Sequence, residues 1–118
     1  MPMSAQLTLN LGGGSVSFRF TPQAARDLKA AIAELMTRLK TVAARPAASA
    51  GKAAPQPPME YTHTGDIFLE VFCNPNIWPS PFAAKALVTL RDERIRLSTE
   101  VELTRMIEDL NQYLEQVG

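Results

Sequence analysis

The most constraining feature of this sequence is a strictly alternating block around three consecutive glycines at residues 12–14. Apolar side chains occupy every second position on both sides of these glycines, namely Leu7, Leu9, Leu11, Val16, Phe18 and Phe20. Alternation with a period of two is typical of a strand with one buried face, and a glycine-rich turn between two such strands predicts a β-hairpin. Because the apolar face of the hairpin has to be covered, the block also predicts a layered fold.

A helix-forming segment follows the hairpin directly. Thr21 and Pro22 match a helix N-cap followed by proline at the first helical position. Apolar residues then recur at spacings of three and four, namely Leu28, Ile32, Leu35 and Leu39. This pattern predicts an amphipathic helix that ends near Lys40 and packs against the hairpin.

The composition changes after this helix. Residues 43–58 are rich in alanine and proline and contain no large apolar side chain. Such a segment cannot bury enough surface to offset the entropy lost on ordering. The sequence therefore predicts a flexible Ala/Pro-rich linker over residues 43–62. The linker joins a first ββα half, residues 1–42, to a second half, residues 63–118, and the two halves together form one domain.

The second half is predicted to hold three strands, a loop and a helix. The strands fall at residues 67–73, 84–90 and 94–97, and a proline-punctuated loop occupies residues 74–82. Thr99 and Glu102 match a capping box that opens the helix. Since a hairpin again leads into a helix, we expect an α+β fold of two ββα units plus one extra strand. The simplest assembly is one antiparallel sheet of five strands with both helices packed on one face.

Composition and charge exclude several classes of protein. The 12 basic and 12 acidic residues cancel, so net charge does not indicate a nucleic-acid or acidic partner. Cys73 is the single cysteine, which excludes an intrachain disulfide and gives no indication of an oxidising compartment. No basic-then-apolar leader opens the chain, and no apolar run approaches the ~20 residues of a membrane helix. We therefore expect a cytoplasmic protein without a membrane partner.

The residue types that catalysis and metal binding require are scarce. His63 is the one histidine and lies at the edge of the predicted linker, where we expect mobility. Cys73 ends an apolar strand, which favours a buried inert thiol over a nucleophile. One cysteine and one histidine cannot build the usual zinc site, and residues 12–14 lack the lysine of a phosphate loop. The sequence predicts no catalytic, cofactor or metal site, and a protein that is not an enzyme.

The predicted 74–82 loop carries the first candidate binding residues. It holds the only tryptophan, Trp78, together with Ile77 and Phe82 and three prolines. Aromatic side chains on a pre-ordered loop are effective anchors for a partner, since they offer a large area at low entropic cost. The structural alternative is that Trp78 folds back as a lid on the core.

The outward face of the predicted sheet is the second candidate. Phe68 and Phe72 share this face with Leu87, and Glu70 is its main acid. Its basic residues are Arg19, Lys85, Arg91, Arg94 and Arg96. These residues fit ordinary solvation, the seam of a homodimer, or a stacking surface for single-stranded nucleic acid.

The sequence thus favours a non-enzymatic interaction protein over a catalyst. We expect an adaptor, assembly factor or regulatory protein that forms a homodimer. It would bind a protein partner through Ile77, Trp78 and Phe82, or through Phe68 and Phe72. The long linker also allows the two halves to dock within one chain or to swap between two chains. The alternative is a single-stranded nucleic-acid-binding module that uses the basic residues of the outer face.

Overall fold

The computed structural model describes residues 5–44 and 55–117. Within these ranges the elements are β1 Ala5–Leu11, β2 Gly14–Phe20, α1 Pro22–Ala43, β3 Met59–Thr64, β4 Phe68–Cys73, β5 Lys85–Arg91, β6 Arg96–Glu102 and α2 Leu103–Val117. The order of elements is ββα followed by ββββα. This confirms the predicted α+β class.

The strands form two antiparallel sheets. β1 and β2 are a hairpin in which Leu11 lies opposite Gly14. β3, β4, β5 and β6 form a four-stranded sheet in chain order. Because side chains alternate along each strand, this second sheet has a covered face and an open face. We call the open one the outer face.

One buried cluster joins both sheets to both helices. Each of its large side chains stabilises the fold by roughly 1.5–3 kcal/mol when fully buried. The largest fully buried members are Phe20, Leu7, Leu9, Leu28, Ile32, Leu35, Leu39, Leu69, Leu90, Leu103, Met106 and Leu110. They come from the hairpin, α1, the four-stranded sheet and α2, so both helices cover the apolar sides of the sheets.

Helix α1 starts where the sequence predicts. Thr21 is its N-cap, and the Thr21 Oγ1 accepts a hydrogen bond from the backbone N–H of Ala24 at 3.1 Å. Pro22 occupies the first helical position, where no N–H is required. The helix runs to Ala43, beyond the predicted end near Lys40.

Strand β3 was not expected. Its residues fall in the end of the predicted linker and the start of the predicted second half. Met59 and Tyr61 turn towards the core while Glu60 and Thr62 face solvent. β3 pairs with β4 over its full length. This pairing stabilises a strand in a segment whose polar composition does not predict one. Residues 45–54, the middle of the predicted linker, lie outside the described residues.

The expectation that His63 is mobile was wrong. His63 lies within β3 and is half-buried. Its imidazole meets the Phe20 ring edge-on, with the centroids 5.0 Å apart. Gly65 adjoins it so closely that a Cβ there would stand 2.9 Å from the His63 Nε2. The ring is therefore held between the hairpin and the β3–β4 turn.

The predicted capping box was also wrong. Thr99 and Glu102 belong to β6, and α2 begins at Leu103 without a linking segment. The Leu103 N–H, one of the orphan donors at a helix start, donates to the Ala84 carbonyl at 3.0 Å. Pairing of β6 with β5 extends as far as Glu102, opposite Lys85, and so overrides the local capping pattern.

A single five-stranded sheet does not form, because β1 does not pair with β6. The second edge of β1 approaches helix α2 instead. The backbone N–H of Asn10 donates to Asp109 Oδ2 at 2.8 Å, and the Asn10 side-chain amide donates to Oδ1 at 2.7 Å. The Asp109 carboxylate thus accepts a backbone N–H that would otherwise need the carbonyl of a neighbouring strand.

Candidate interaction surfaces

The 74–82 loop, which connects β4 to β5, is built from two short 3₁₀ helices, Pro75–Ile77 and Pro81–Ala83. Each begins with a proline, whose ring fixes the backbone angle φ. The Asn74 side chain accepts a hydrogen bond from the Asn76 N–H at 3.0 Å and one from the Asn76 side-chain amide at 2.8 Å. The loop backbone is therefore pre-ordered by its own residues.

Asn76 also ties the loop to the segment that precedes β3. The Gln56 N–H donates to Asn76 Oδ1 at 2.8 Å, and Asn76 Nδ2 donates to the Gln56 carbonyl at 2.8 Å. One side-chain amide thus reproduces both hydrogen bonds of a neighbouring strand. This clamp holds the loop against the body of the protein.

Trp78 anchors the loop to the core. Its side chain is half-buried and packs against the core cluster. Burial raises the pKa of the Cys73 thiol, and the Trp78 indole, which interacts with the sulfur, lowers it by a smaller amount. Sulfur is a weak acceptor, and the buried indole N–H has no other hydrogen-bond partner among the described residues. This geometry corresponds to the lid alternative for Trp78.

The two other predicted anchors of the loop face solvent. Phe82 is 80% exposed and Ile77 is 66% exposed, the largest exposures among the described large apolar side chains. Ile77 and Phe82 lie on either side of Pro79 in the sequence. The loop backbone between them is fixed by the hydrogen bonds of Asn76 and by the packing of Trp78 on the core. We call Ile77 and Phe82 together the loop patch. It offers apolar area whose conformational entropy has largely been lost before any partner arrives.

The outer face has a smaller apolar centre. Phe72 lies directly opposite Leu87, and these side chains are 37% and 46% exposed. Phe68 is half-buried because the Arg91 guanidinium lies over its ring, 4.3 Å from the centroid. The face is therefore partly apolar, but Arg91 covers Phe68, one of its three large apolar side chains.

Charges on the outer face are segregated along the strands. Arg96 lies opposite Arg91 at one end of the sheet, whereas Lys85 lies opposite Glu102 at the other. Glu70, near the centre, is accompanied by three further glutamates that sequence analysis did not place on this face: Glu60, Glu100 and Glu102. The five predicted basic residues do not form one continuous surface.

Of the four predicted arginines, Arg91 and Arg96 lie on the outer face, whereas Arg19 belongs to β2 of the other sheet and Arg94 to the β5–β6 turn. The guanidinium of Arg19 lies 3.9 Å from Asp66 in the β3–β4 turn. This turn lines an open cleft of ≈ 550 Å³ together with Arg91 and Arg94. Asp92 in the same cleft accepts the N–H groups of Arg94 at 2.8 Å and Ile95 at 2.9 Å, and these hydrogen bonds lower the pKa of Asp92. Acidic and basic groups therefore alternate around the cleft.

Two functional placements were missed by sequence reasoning. Asp109 is an acidic residue of α2 and is nevertheless only 4% exposed. Asn76 was treated as part of a rigid loop without a role for its side chain. Asp109 contacts Asn10, and Asn76 contacts Gln56. The residues of each pair are distant in sequence, so no local sequence pattern predicts either contact.

The described residues add two findings on other classes of site. Neither helix within 5–44 and 55–117 combines the length and apolar composition required to cross a membrane. In the same ranges no three His, Cys, Asp or Glu side chains are grouped as metal ligands would be.

Comparisons of this chain with protein-family models, with curated proteins and with solved structures find no match.

Proposed function

We propose that this chain is a non-enzymatic interaction protein that forms a homodimer through the loop patch, and that it serves as an adaptor, assembly factor or regulator. The observation that carries the proposal is the exposure of Phe82 and Ile77, 80% and 66%, on a loop fixed by hydrogen bonds and prolines. A monomer gains nothing in stability from a phenylalanine held in water. A partner that covers it gains hydrophobic free energy, and the loop backbone is already ordered before the partner binds.

The charge of the chain does not oppose a second copy as the partner. With 12 basic and 12 acidic residues the chain carries no net charge at pH 7, so two copies do not repel each other at long range. Two side chains per protomer cannot cover the ~800 Å² per partner that a standard interface buries. We therefore expect a weak, reversible dimer.

Trp78 has a supporting part in this proposal. As the lid beneath the loop, it holds the backbone on which the loop patch is displayed. The single cysteine gives no indication of an oxidising compartment, and we propose a cytoplasmic location.

Sedimentation equilibrium over a range of protein concentrations tests the proposal. The mass of the wild-type protein should rise with concentration from 12.9 kDa towards twice that value. Phe82→Ser and Ile77→Ser should each hold the mass near that of the monomer. Both side chains are exposed, so the free energy of unfolding of the variants should differ from that of the wild type by less than about 0.5 kcal/mol.

Ile95→Ser is the matched control. Ile95 is 60% exposed, a value close to that of Ile77, but it lies in the β5–β6 turn at the arginine end of the sheet. This variant should associate like the wild type. A wild-type protein that stays monomeric at every concentration, or an equal effect of Ile95→Ser, would overturn the proposal.

A second candidate function is favoured by the arginine end of the outer face. Arg91 stacks on Phe68, Arg96 lies opposite Arg91, and Arg94 lines the adjoining cleft. Arginines beside an aromatic ring form a platform on which single-stranded nucleic acid stacks. The glutamates on the same face and the zero net charge make this the second candidate.

The nucleic-acid candidate is tested by fluorescence anisotropy of a labelled single-stranded oligonucleotide. It predicts binding that weakens steeply with salt and is lost in Arg94→Glu and Arg96→Glu. Phe82→Ser should bind as the wild type does. Absence of binding at low salt would exclude this candidate.

A further inference from the structure

A groove between the hairpin and helix α2 has the chemistry of a ligand site and is independent of the loop patch. It has a volume of ≈ 190 Å³, whereas a single water occupies ~30 Å³ in the liquid. Its polar lining includes Gln6 and Asn10 of β1 and Asp109, Gln112 and Gln116 of α2. We call these five residues the amide groove. Its volume admits a ligand of several non-hydrogen atoms.

Asp109 is the residue that gives the groove its chemistry. It is 4% exposed and is therefore almost entirely removed from bulk water. Its hydrogen bonds come from Asn10, at 2.8 Å to Oδ2 and 2.7 Å to Oδ1, and both donors are neutral. The ion pairs of the described residues are Arg19–Asp66 and Arg38–Glu34, so no basic group of those residues lies within 4.0 Å of the Asp109 carboxylate.

This arrangement leaves both charge and acceptor capacity unmatched. A carboxylate offers about four acceptor positions, and here each oxygen takes one hydrogen bond. Burial of a carboxylate is costly unless a cation or several donors compensate for the lost water. The neighbouring glutamines are neutral, and their amide oxygens can accept further hydrogen bonds from a ligand.

We propose that the amide groove binds a small primary amine, whose ammonium group neutralises Asp109 and donates to it and to the amide oxygens of Gln112 and Gln116. An ammonium carries three donors on a compact charge, which suits one carboxylate with neutral oxygens around it. A guanidinium prefers both carboxylate oxygens in one plane, and Asn10 already occupies one position on each. Calcium coordinates six to eight oxygens and magnesium six, in part from water, whereas the groove lining holds one carboxylate that Asn10 already engages at both oxygens.

Butylammonium chloride is the probe for this site, with 1-butanol as its neutral analogue at matched ionic strength. Chemical shifts of the Asn10, Gln112 and Gln116 amides are followed by ¹H–¹⁵N NMR up to ~100 mM, a range that covers dissociation constants above ~1 mM. The amine should produce saturable shifts confined to these amides, and butanol should not. No saturable shift, or the same shifts with butanol, would overturn the proposal.

Three variants separate a binding role of Asp109 from a structural one. Asp109→Asn removes the charge and should weaken butylammonium binding at least about tenfold. Gln112→Lys brings an ammonium to the groove from the next turn of α2 and should displace the probe, whereas Gln112→Met removes one neutral acceptor and should weaken binding by less than about tenfold. Gln112 is exposed, so this pair is informative even if Asp109→Asn fails to fold. Equal probe binding in Gln112→Lys and Gln112→Met would contradict the site.

Discussion

Helix α1 is capped by the side chain of the residue that precedes it, whereas the first N–H of helix α2 donates to a carbonyl distant in sequence. Thr21 Oγ1 accepts the Ala24 N–H three residues later, at 3.1 Å. The Leu103 N–H instead reaches the Ala84 carbonyl, at 3.0 Å. The first start is encoded by neighbouring residues, and the second exists only once the 74–82 loop and β5 are in place. The start of α1 therefore depends on local interactions, and the start of α2 on long-range ones.

The contacts that unite the halves follow the long-range pattern. Asp109 of α2 holds Asn10 of β1, and the Tyr61 hydroxyl of β3 donates to the Ala24 carbonyl of α1 at 3.2 Å. The Tyr113 hydroxyl of α2 donates to the Phe20 carbonyl of β2. Residues of the C-terminal half thus bind backbone groups of the N-terminal half, so the two halves are coupled by polar as well as apolar contacts.

The largest effect is expected when a long-range contact of α2 is removed. Asp109→Ala deletes both hydrogen bonds to Asn10, and hydrogen bonds to a charged group contribute about 1.5–3 kcal/mol each. We expect the free energy of unfolding to fall by about 2–3 kcal/mol in urea denaturation, since loss of the buried charge offsets part of the cost. Glu108→Ala, at the exposed neighbouring position, should change it by less than about 0.5 kcal/mol. Equal effects of the two would contradict the role of Asp109.

A matched pair of threonine substitutions tests the two helix starts directly. Thr21→Val removes the cap of α1 and should cost about 1 kcal/mol. Thr99→Val keeps a β-branched side chain in β6, where the hydroxyl meets only the Glu100 carbonyl at 3.5 Å. Its cost should be below about 0.5 kcal/mol. If thermal unfolding shows that Thr99→Val is the more costly of the two, the assignment of Thr99 to a strand rather than a cap fails.

Tyr61→Phe weakens a contact between the halves and adds a dependence on pH. Loss of the hydrogen bond to Ala24 should cost about 0.5–1 kcal/mol at neutral pH. Burial, with the nearby charge of Asp27, raises the pKa of Tyr61 to about 12 from 10.0. The folded state therefore holds this proton more tightly than the unfolded chain does. The stabilisation that comes from this difference in the Tyr61 pKa is complete below the pKa of the unfolded chain and is lost as the pH rises through the pKa of the folded state.

Urea unfolding at a series of alkaline pH values measures this contribution. Between the two pKa values, 10.0 and about 12, the wild-type free energy of unfolding should fall more steeply with pH than that of Tyr61→Phe. Parallel curves for the two proteins would mean that the Tyr61 hydroxyl does not titrate differently in the folded state.

The smallest effects are expected in the turns. Gly13, in the turn of the first hairpin, has no positive φ, and a Cβ there would meet nothing within 4 Å. Gly13→Ala should therefore stabilise the protein by about 0.4–1 kcal/mol through the entropy of the unfolded chain. Gly65→Ala should destabilise it, because its Cβ would stand 2.9 Å from the His63 Nε2. Opposite changes in melting temperature are the expected result, and the same sign for both would contradict it.

The same division between local and long-range interactions explains what could be predicted from sequence. The hairpin, the Thr21 cap and the buried stripe of α1 were predictable, because their patterns are complete within a few residues. β3 was missed, since Glu60 and Thr62 resemble a linker until β4 pairs with them. The capping box at Thr99 was misassigned because strand pairing with β5 overrides a local motif that is otherwise sound.

For the candidate surfaces, residue type was informative and placement was not. The apolar and aromatic composition singled out the 74–82 loop, but only the packing of Trp78 against the core separates the lid from the exposed loop patch. The arginines of the outer face were identified, whereas the glutamates of β3 and β6 that interrupt them required the register of the sheet. The burial of Asp109 follows from the approach of β1 to α2, which no local pattern records.

The most direct test of the loop patch as the self-association surface is dilution of the wild-type protein followed by ¹H–¹⁵N NMR. Backbone amide shifts that change with protein concentration mark the residues that a second copy covers. We expect these changes to centre on residues 76–83 and to vanish in Phe82→Ser. Changes that centre on Phe72 and Leu87, or no dependence on concentration at all, would contradict it.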